Sequence, residues 1–366
     1  MATTTITVTH GRAADYTGNS GMTGRNVANR VGNLMAKIAS GTAPVTSMTV
    51  SQANATATVT LSNVAGGVAA SGSYALSGVG GTAASGTVTL AGGAGDVTIV
   101  TDGTSVGPVA FNTSDAQTAL DCITALNANG TFAAKATASD GGSGVVLITW
   151  DTKGTVGNSK TLTASRTAGT ATASGATLAG GAQGAVTVAI NGTSVGPVDT
   201  TNLSDTDAAT AVAAAIEANT TLGPLLVAVG STTNVSLTWG TKGTAGNAVT
   251  LGAGTSATGT ATRSGATLSS GVDCMSVTVG GVQVKLGSEG ATDTDTATAM
   301  ASALNADATV GGLVTATSAL EVVTLTAIAA GPVGNLGLSA TATSGTATAS
   351  GTTLSGGTAT TYTFGV

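Results

Sequence analysis

The sequence predicts an α+β fold of four tandem repeats of about 88 residues, each a small, mainly antiparallel sheet with one helix, β-β-α-β-β plus edge strands. Three observations predict it. The string GTATASGATLAGG (Gly169 to Gly181) returns as GTATRSGATLSSG (Gly259 to Gly271), as GTATASGTTLSGG (Gly345 to Gly357) and earlier as GTAASGTVTLAGG (Gly81 to Gly93), at spacings of 88, 90 and 86 residues. KGTVGN (Lys153 to Asn158) recurs as KGTAGN (Lys242 to Asn247) and as GPVGN (Gly331 to Asn335), and NGTSVGPV (Asn191 to Val198) matches DGTSVGPV (Asp102 to Val109). Within each period, alternating β-branched stretches flank one Ala-rich stretch of helical spacing. Self-similarity at a fixed period marks a repeat architecture, in which one supersecondary unit recurs along the chain.

Each element follows from its residues. The units are 1–95, 96–184, 185–272 and 273–366. In the first, ITVTHG (Ile6 to Gly11) stands where TIVTDG (Thr98 to Gly103) stands in the second, and VANRVGNLMAKIAS (Val27 to Ser40) falls where DAQTALDCITALNAN follows; the GxxGN turn is missing there. VTVAI-NG-TSVGPV reads as a hairpin, because Asn191-Gly192 suits a two-residue turn whose central positions both need positive φ. LSDTDAATAVAAAIEAN reads as a helix. Ser204, Asp205 or Asp207 can cap its free amides, and Val212 and Ile216 stand four apart on one face. LLVAVGSTTNVSLTWG predicts two strands around a Ser-Thr-Thr-Asn turn, NAVTLGAG another strand, and the GATL segment a last edge. Alanine favours the helix and lets it approach a sheet closely. The joints TLAGGAGD, TLAGGAQG and TLSSGVDC are short, which favours limited bending.

Composition narrows the function classes. Glycine makes up 55 of 366 residues, while charged residues are 8 % and aromatics 2 %; one His and two Cys complete a set poor in bases, nucleophiles and metal ligands. The apolar share of 42 % separates the chain from disordered sequences. Few large side chains are available, so stability must come from β hydrogen bonding, close backbone packing and neighbouring subunits. No apolar stretch is long enough for a membrane helix, and the N-terminus lacks a basic start followed by an apolar core, so neither a membrane anchor nor a secretory signal is expected. Cys122 and Cys274 read as free, buried thiols.

Each candidate for chemistry has a structural counterpart. His10 is the only imidazole and occupies the hairpin-turn position that Asp102-Gly103 and Asn191-Gly192 hold elsewhere, so no Ser-His-Asp or Cys-His set can recur. GNSKT (Gly157 to Thr161) departs from a phosphate-binding loop, because Ser159 stands where a Gly is needed; a tight turn fits better. The pairs Asp205/Asp207 and Asp293/Asp295 offer only two carboxylates each for Ca²⁺, and both open a helix, where capping is the simpler role. Trp150 and Trp239 end equivalent strands; a core or inter-unit contact competes there with a sugar-stacking platform. No catalytic residue, metal site or cofactor is expected. Residues 1–95 carry Arg12, Arg25, Arg30 and Lys37 against Asp15 alone, whereas the rest carries seven basic and sixteen acidic side chains. That asymmetry suggests docking on an acidic surface through the N-terminal unit. Four scattered cations without aromatics make a poor nucleic-acid footprint.

The order of hairpin, DTxAxxAxAIxAN-type helix, VTLT-type strand, KGTxGN turn and final TLxGG resembles modules of tailed-bacteriophage structural proteins, including parts of contractile tail sheaths and decorating or fibre-like virion proteins. Asp205 to Asn219, Val235 to Asn247 and Ala266 to Gly271 carry the resemblance in the third unit, with counterparts in the second and fourth. It implies a non-enzymatic virion building block, assembled in the host cytoplasm: a decoration, protrusion or fibre/tail component. Its partners would be itself and other virion proteins, with no nucleic acid, membrane or cofactor, and it would dock through Arg12, Arg25, Arg30 and Lys37. The alternative is a bacterial surface adhesin or filament subunit whose modules bind glycan or a neighbouring cell; the missing secretion signal speaks against it.

Overall fold

The structure, a computed structural model, describes residues 47–365 and is an α+β arrangement of small antiparallel sheets. Three strands come first: β1 (Ser47–Ala65), β2 (Ala69–Ser77) and β3 (Ala83–Ala91). Three blocks follow whose strands and main helix come in one order, the first with an added short helix at Gly130–Ala133. The first holds β4 (Val97–Thr101), β5 (Thr104–Val109), helix α1 (Asp115–Ala128), β6 (Ala136–Asp140), β7 (Val145–Lys153), β8 (Leu162–Arg166) and β9 (Thr170–Ala173). In the second, β10 (Ala185–Ile190) and β11 (Thr193–Asp199) precede α2 (Asp205–Glu217), then β12 (Leu226–Ser231), β13 (Asn234–Lys242), β14 (Thr255–Ser256) and β15 (Thr260–Arg263). The third repeats this with β16 (Met275–Val279), β17 (Val282–Leu286), α3 (Asp293–Ala306), β18 (Val314–Ala319), β19 (Val322–Ala330), β20 (Leu338–Ala342) and β21 (Ser344–Ala349). Strand β22 (Thr358–Gly365) closes the chain.

Local chemistry explains the elements. The opening hairpins turn at Asp102-Gly103, Asn191-Gly192 and Gly280-Gly281, each with two successive positive φ values, the geometry that matches strand twist in a two-residue turn. Ser114, Ser204 and Thr292 cap the three main helices, accepting from the amides of Gln117, Asp207 and Asp295. The buried stripes Ala119/Cys122/Leu126, Ala209/Val212/Ile216 and Ala297/Met300/Leu304 recur at helical spacing. Their small first members let each helix lie close to its sheet.

By its contacts the chain forms two compact units. One takes the described residues up to Ala69, Lys242–Ala245 and the described residues from Gly271 onward; the other takes Ala70–Thr241 and Gly246–Ser270. The first unit has one core, in which α3 joins a β17-β16-β20 sheet to a β18-β19-β1-β21 sheet, with β22 also pairing β1. The second unit has two cores of the same plan. One combines α1 with sheets β5-β4-β8 and β6-β7-β3-β9; the other combines α2 with sheets β11-β10-β14 and β12-β13-β2-β15.

The three leading strands are therefore interior members of sheets whose other strands come much later. β3 lies between β7 and β9, β2 between β13 and β15, and β1 between β19 and β21. The assignment is nested, the last leading strand going to the first block and the first to the last. Sequence self-comparison aligns Gly81 to Gly93 with the closing strings of the later units; in the structure this segment holds β3 and pairs antiparallel with one of those strings. The sheet it completes runs across the expected 95/96 boundary. The physical reason is the shared inward pattern. Val59/Leu61, Tyr74/Leu76 and Val88/Leu90 are buried, with Thr60, Ala75 and Thr89 between them, so these strands satisfy an apolar core on one face and backbone partners on both edges.

Candidate functional site

The feature shared by all three blocks is a cleft, between a long hairpin strand and the GTATxSG strand, that holds a strand from residues 54–91. The repeated strings build it. Leu178, Leu268 and Leu354 fill its floor, and the residue after each forms a bridge to the entering strand: Ala179 with Ser85, Ser269 with Ser71, Ser355 with Thr56. The hydroxyl oxygens of Ser174, Ser264 and Ser350 accept from the amides of Thr87, Ser73 and Thr58 at 2.9–3.0 Å. Gly157 and Gly246 of the xGN turns lie against Ala84 and Ala70, where an added Cβ would come within 2.6 and 2.7 Å of the alanine methyl. Gly169, Gly259 and Gly345 take positive φ beside the turn leaving each held strand; a Cβ on Gly345 would stand 2.1 Å from the Asn63 carbonyl. The recurrent glycines thus record a close approach of backbone to backbone.

Charged groups then hold the exit of each strand. Asp293 accepts from the amides of Asn63 and Val64 at 2.7 and 3.0 Å, and Asp205 from those of Gly78 and Val79 at 3.0 and 3.1 Å. In the first block Asp115 instead pairs with Arg166 at 2.7 Å, and the Arg166 guanidinium, its side chain fully buried, donates to the carbonyls of Gly93 and Gly95. Glu289 adds a further hold, accepting from Gly67 while paired with Lys242. The Lys242 hydrogen bond holds the Glu289 carboxyl below its ordinary value. Burial pushes Asp273 up, but the Thr244 amide and hydroxyl and Lys285 outweigh it and leave the carboxyl low. Asp293, Asp205 and Arg166 hold the turn by which each strand leaves its cleft, at the positive-φ residues Asn63, Gly78 and Gly93.

The sequence candidates fall out as follows. Arg12, Arg25, Arg30, Lys37 and His10 lie outside the described residues. Each acidic pair divides its labour: Asp207 and Asp295 complete the caps with Ser204 and Thr292, while Asp205 and Asp293 grip the entering strand. No group of three His, Cys, Asp or Glu side chains gathers in metal-binding range among the described residues. Trp150 is buried in its core beneath Lys160 Nζ, 4.9 Å from the ring centre, and Trp239 packs on the next core. The first three residues of GNSKT lie in a 3₁₀ turn, Thr155–Ser159, in which a Cβ added to Gly157 would stand 3.1 Å from the Trp150 side chain. Both cysteines are free and buried; burial, reinforced by the Asp121 charge, pushes Cys122 up to about 11. Thr244, Asp273, Ser276, Gln283, Lys285 and Thr341 line a shallow pocket, where they bond to one another. The strand-holding role was missed from sequence, although the repeated leading motif, VTLSN, YALSG and VTLAG at intervals of 15 and 14 residues, was there to read.

The fold and clefts define the chain's class as an α+β protein of several small antiparallel sheets. No known family model matches the sequence, and no curated protein does.

Proposed function

We propose that this chain is a non-enzymatic structural protein of a bacteriophage virion, a repeat-built decoration, protrusion or fibre/tail component that assembles with itself and with capsid or tail. In this reading a block of about 88 residues was copied in series, and Arg12, Arg25, Arg30 and Lys37 dock the N-terminal unit. The observation that carries it is the use made of the repeated residues. The recurrent Gly, Ser, Leu and Asp positions hold an early strand inside a sheet built from later ones, so what recurs along the chain is the mechanical capture of a strand. A building block placed in an assembly has that requirement, since it must keep its shape under load with few large side chains available.

The test is immunogold labelling of purified phage particles with an antibody against the recombinant chain. Label on capsid or tail is expected, and a variant with all four docking cations replaced by Glu should be lost from particles at least tenfold. Label confined to the host cell surface would instead select the adhesin or filament reading.

A further inference from the structure

The clefts have a consequence for how copies join. We propose that copies of this chain link by exchanging β1, so that residues 54–65 of one copy lie between β19 and β21 of another. The inference rests on the reading of the chain as a self-associating building block and names the means of association.

Three observations carry it. First, every contact that holds β1 is indifferent to which copy supplies it. The Thr58 amide on Ser350 Oγ, the Asn63 and Val64 amides on Asp293, and buried Val59 and Leu61 would all be reproduced in a neighbour's cleft. Exchange of an identical element changes no contact type and is a low-cost route to association. Second, β1 waits longest for its cleft. Thr58 and its partner Ser350 are 292 residues apart, against 191 for Ser73 with Ser264 and 87 for Thr87 with Ser174. At roughly 5–20 residues per second of synthesis the β1 strand stays without its cleft for about 15–60 s. During that time the completed clefts of neighbouring copies compete for it. An apolar strand with both edges free is a ready template for such pairing.

Third, the connection suits a hinge. Only Gly66, Gly67 and Val68 separate β1 from β2; Gly66 has φ +91°, and Gly67 lies so close to the Gly287 carbonyl that a Cβ would stand 2.3 Å from it. Short connections under constraint favour exchange over closure within one chain. β2 and β3 meet their clefts earlier, so β1 is the strand left for exchange. One exchange can be answered by its reciprocal, giving a closed pair, or passed along, giving an open chain.

The test uses the full chain carrying single cysteines at a facing pair. Thr58 and Thr324 are register partners. The Thr58 amide is directed to Ser350 rather than to β19, which makes the pair non-hydrogen-bonded, with Cα atoms about 4.5 Å apart and within disulfide reach. T58C and T324C chains carrying different tags are co-expressed, oxidised and run on a non-reducing gel. A disulfide-linked heterodimer as the main product, joined through the two introduced cysteines by peptide mapping, is expected. A mixture without that product overturns the proposal, and a T58C/T324C double variant that closes within one chain would show directly that β1 stays home. Sedimentation of the unmodified chain separates this failure from that of the underlying reading. Oligomers without the linked product would reject β1 exchange and keep self-association by other surfaces, whereas monomers at every concentration would reject both.

Discussion

At the scale of single residues, the glycines carry information that their frequency alone hides. Gly345 has φ +75°, and a Cβ there would meet the Asn63 carbonyl oxygen at 2.1 Å; Gly356 has φ +85° with nothing within 4 Å. Gly345→Ala therefore combines backbone strain with a clash against the turn leaving β1, while Gly356→Ala carries the strain alone. Urea denaturation should show Gly356→Ala costing about 1–2 kcal/mol and Gly345→Ala costing more by at least about 1 kcal/mol. The acidic pairs teach a related point. Spacing marked Asp293 and Asp295 as the opening of a helix, and Asp295 does cap it, but nothing local told that Asp293 would accept two amides from 230 residues upstream. The acceptor capacity of a carboxylate is visible in a sequence; the donors brought to it by the fold are not.

At the scale of elements, the hairpins and helices were legible because their signals are local. Asn191-Gly192 turns as its φ requirement dictates, and α2 starts after Ser204 with Val212 and Ile216 on the buried face. Strand partners were not legible, since β pairing depends on which edges meet after folding. Tyr74 illustrates this. It occupies the inward position that Val59 and Val88 hold in β1 and β3, and its hydroxyl lies 2.7 and 3.0 Å from the carbonyls of Ala189 and Gly252, where the β10–β14 ladder is interrupted. The interior placement of β1 gives a sharp expectation. Leu61 is 1 % exposed within the core of its unit, so Leu61→Ala should cost about 2–5 kcal/mol, the range for emptying a close-packed site. Thr60 on the outward face should tolerate Ala within about 0.5 kcal/mol. Equal losses at the two positions, read from denaturant midpoints, would mean that β1 is not an interior strand.

At the scale of the whole molecule, acid should weaken the compact unit that contains β1. Glu289 and Asp273, both held below their ordinary values of 4.5 and 3.8, belong to the unit containing β1. A carboxylate whose folded value is depressed adds stability that is fully present above its unfolded value and disappears as pH falls through the folded one. The melting transition of that unit should hold steady down to about pH 5 and then drop as pH passes below 4.5 and 3.8. Glu289→Gln should flatten part of that slope, which calorimetry from pH 6 to pH 3 would check. The sequence by itself determined the helix and hairpin positions of the three described blocks and the scarcity of reactive side chains, because each of these depends on neighbours along the chain or on composition alone. Only the tertiary structure decided that β1, β2 and β3 complete sheets 87 to 292 residues away, in reverse order. The three strands share one inward pattern and the three clefts one lining, so their similarity hid the partner of each until the cores were closed around them.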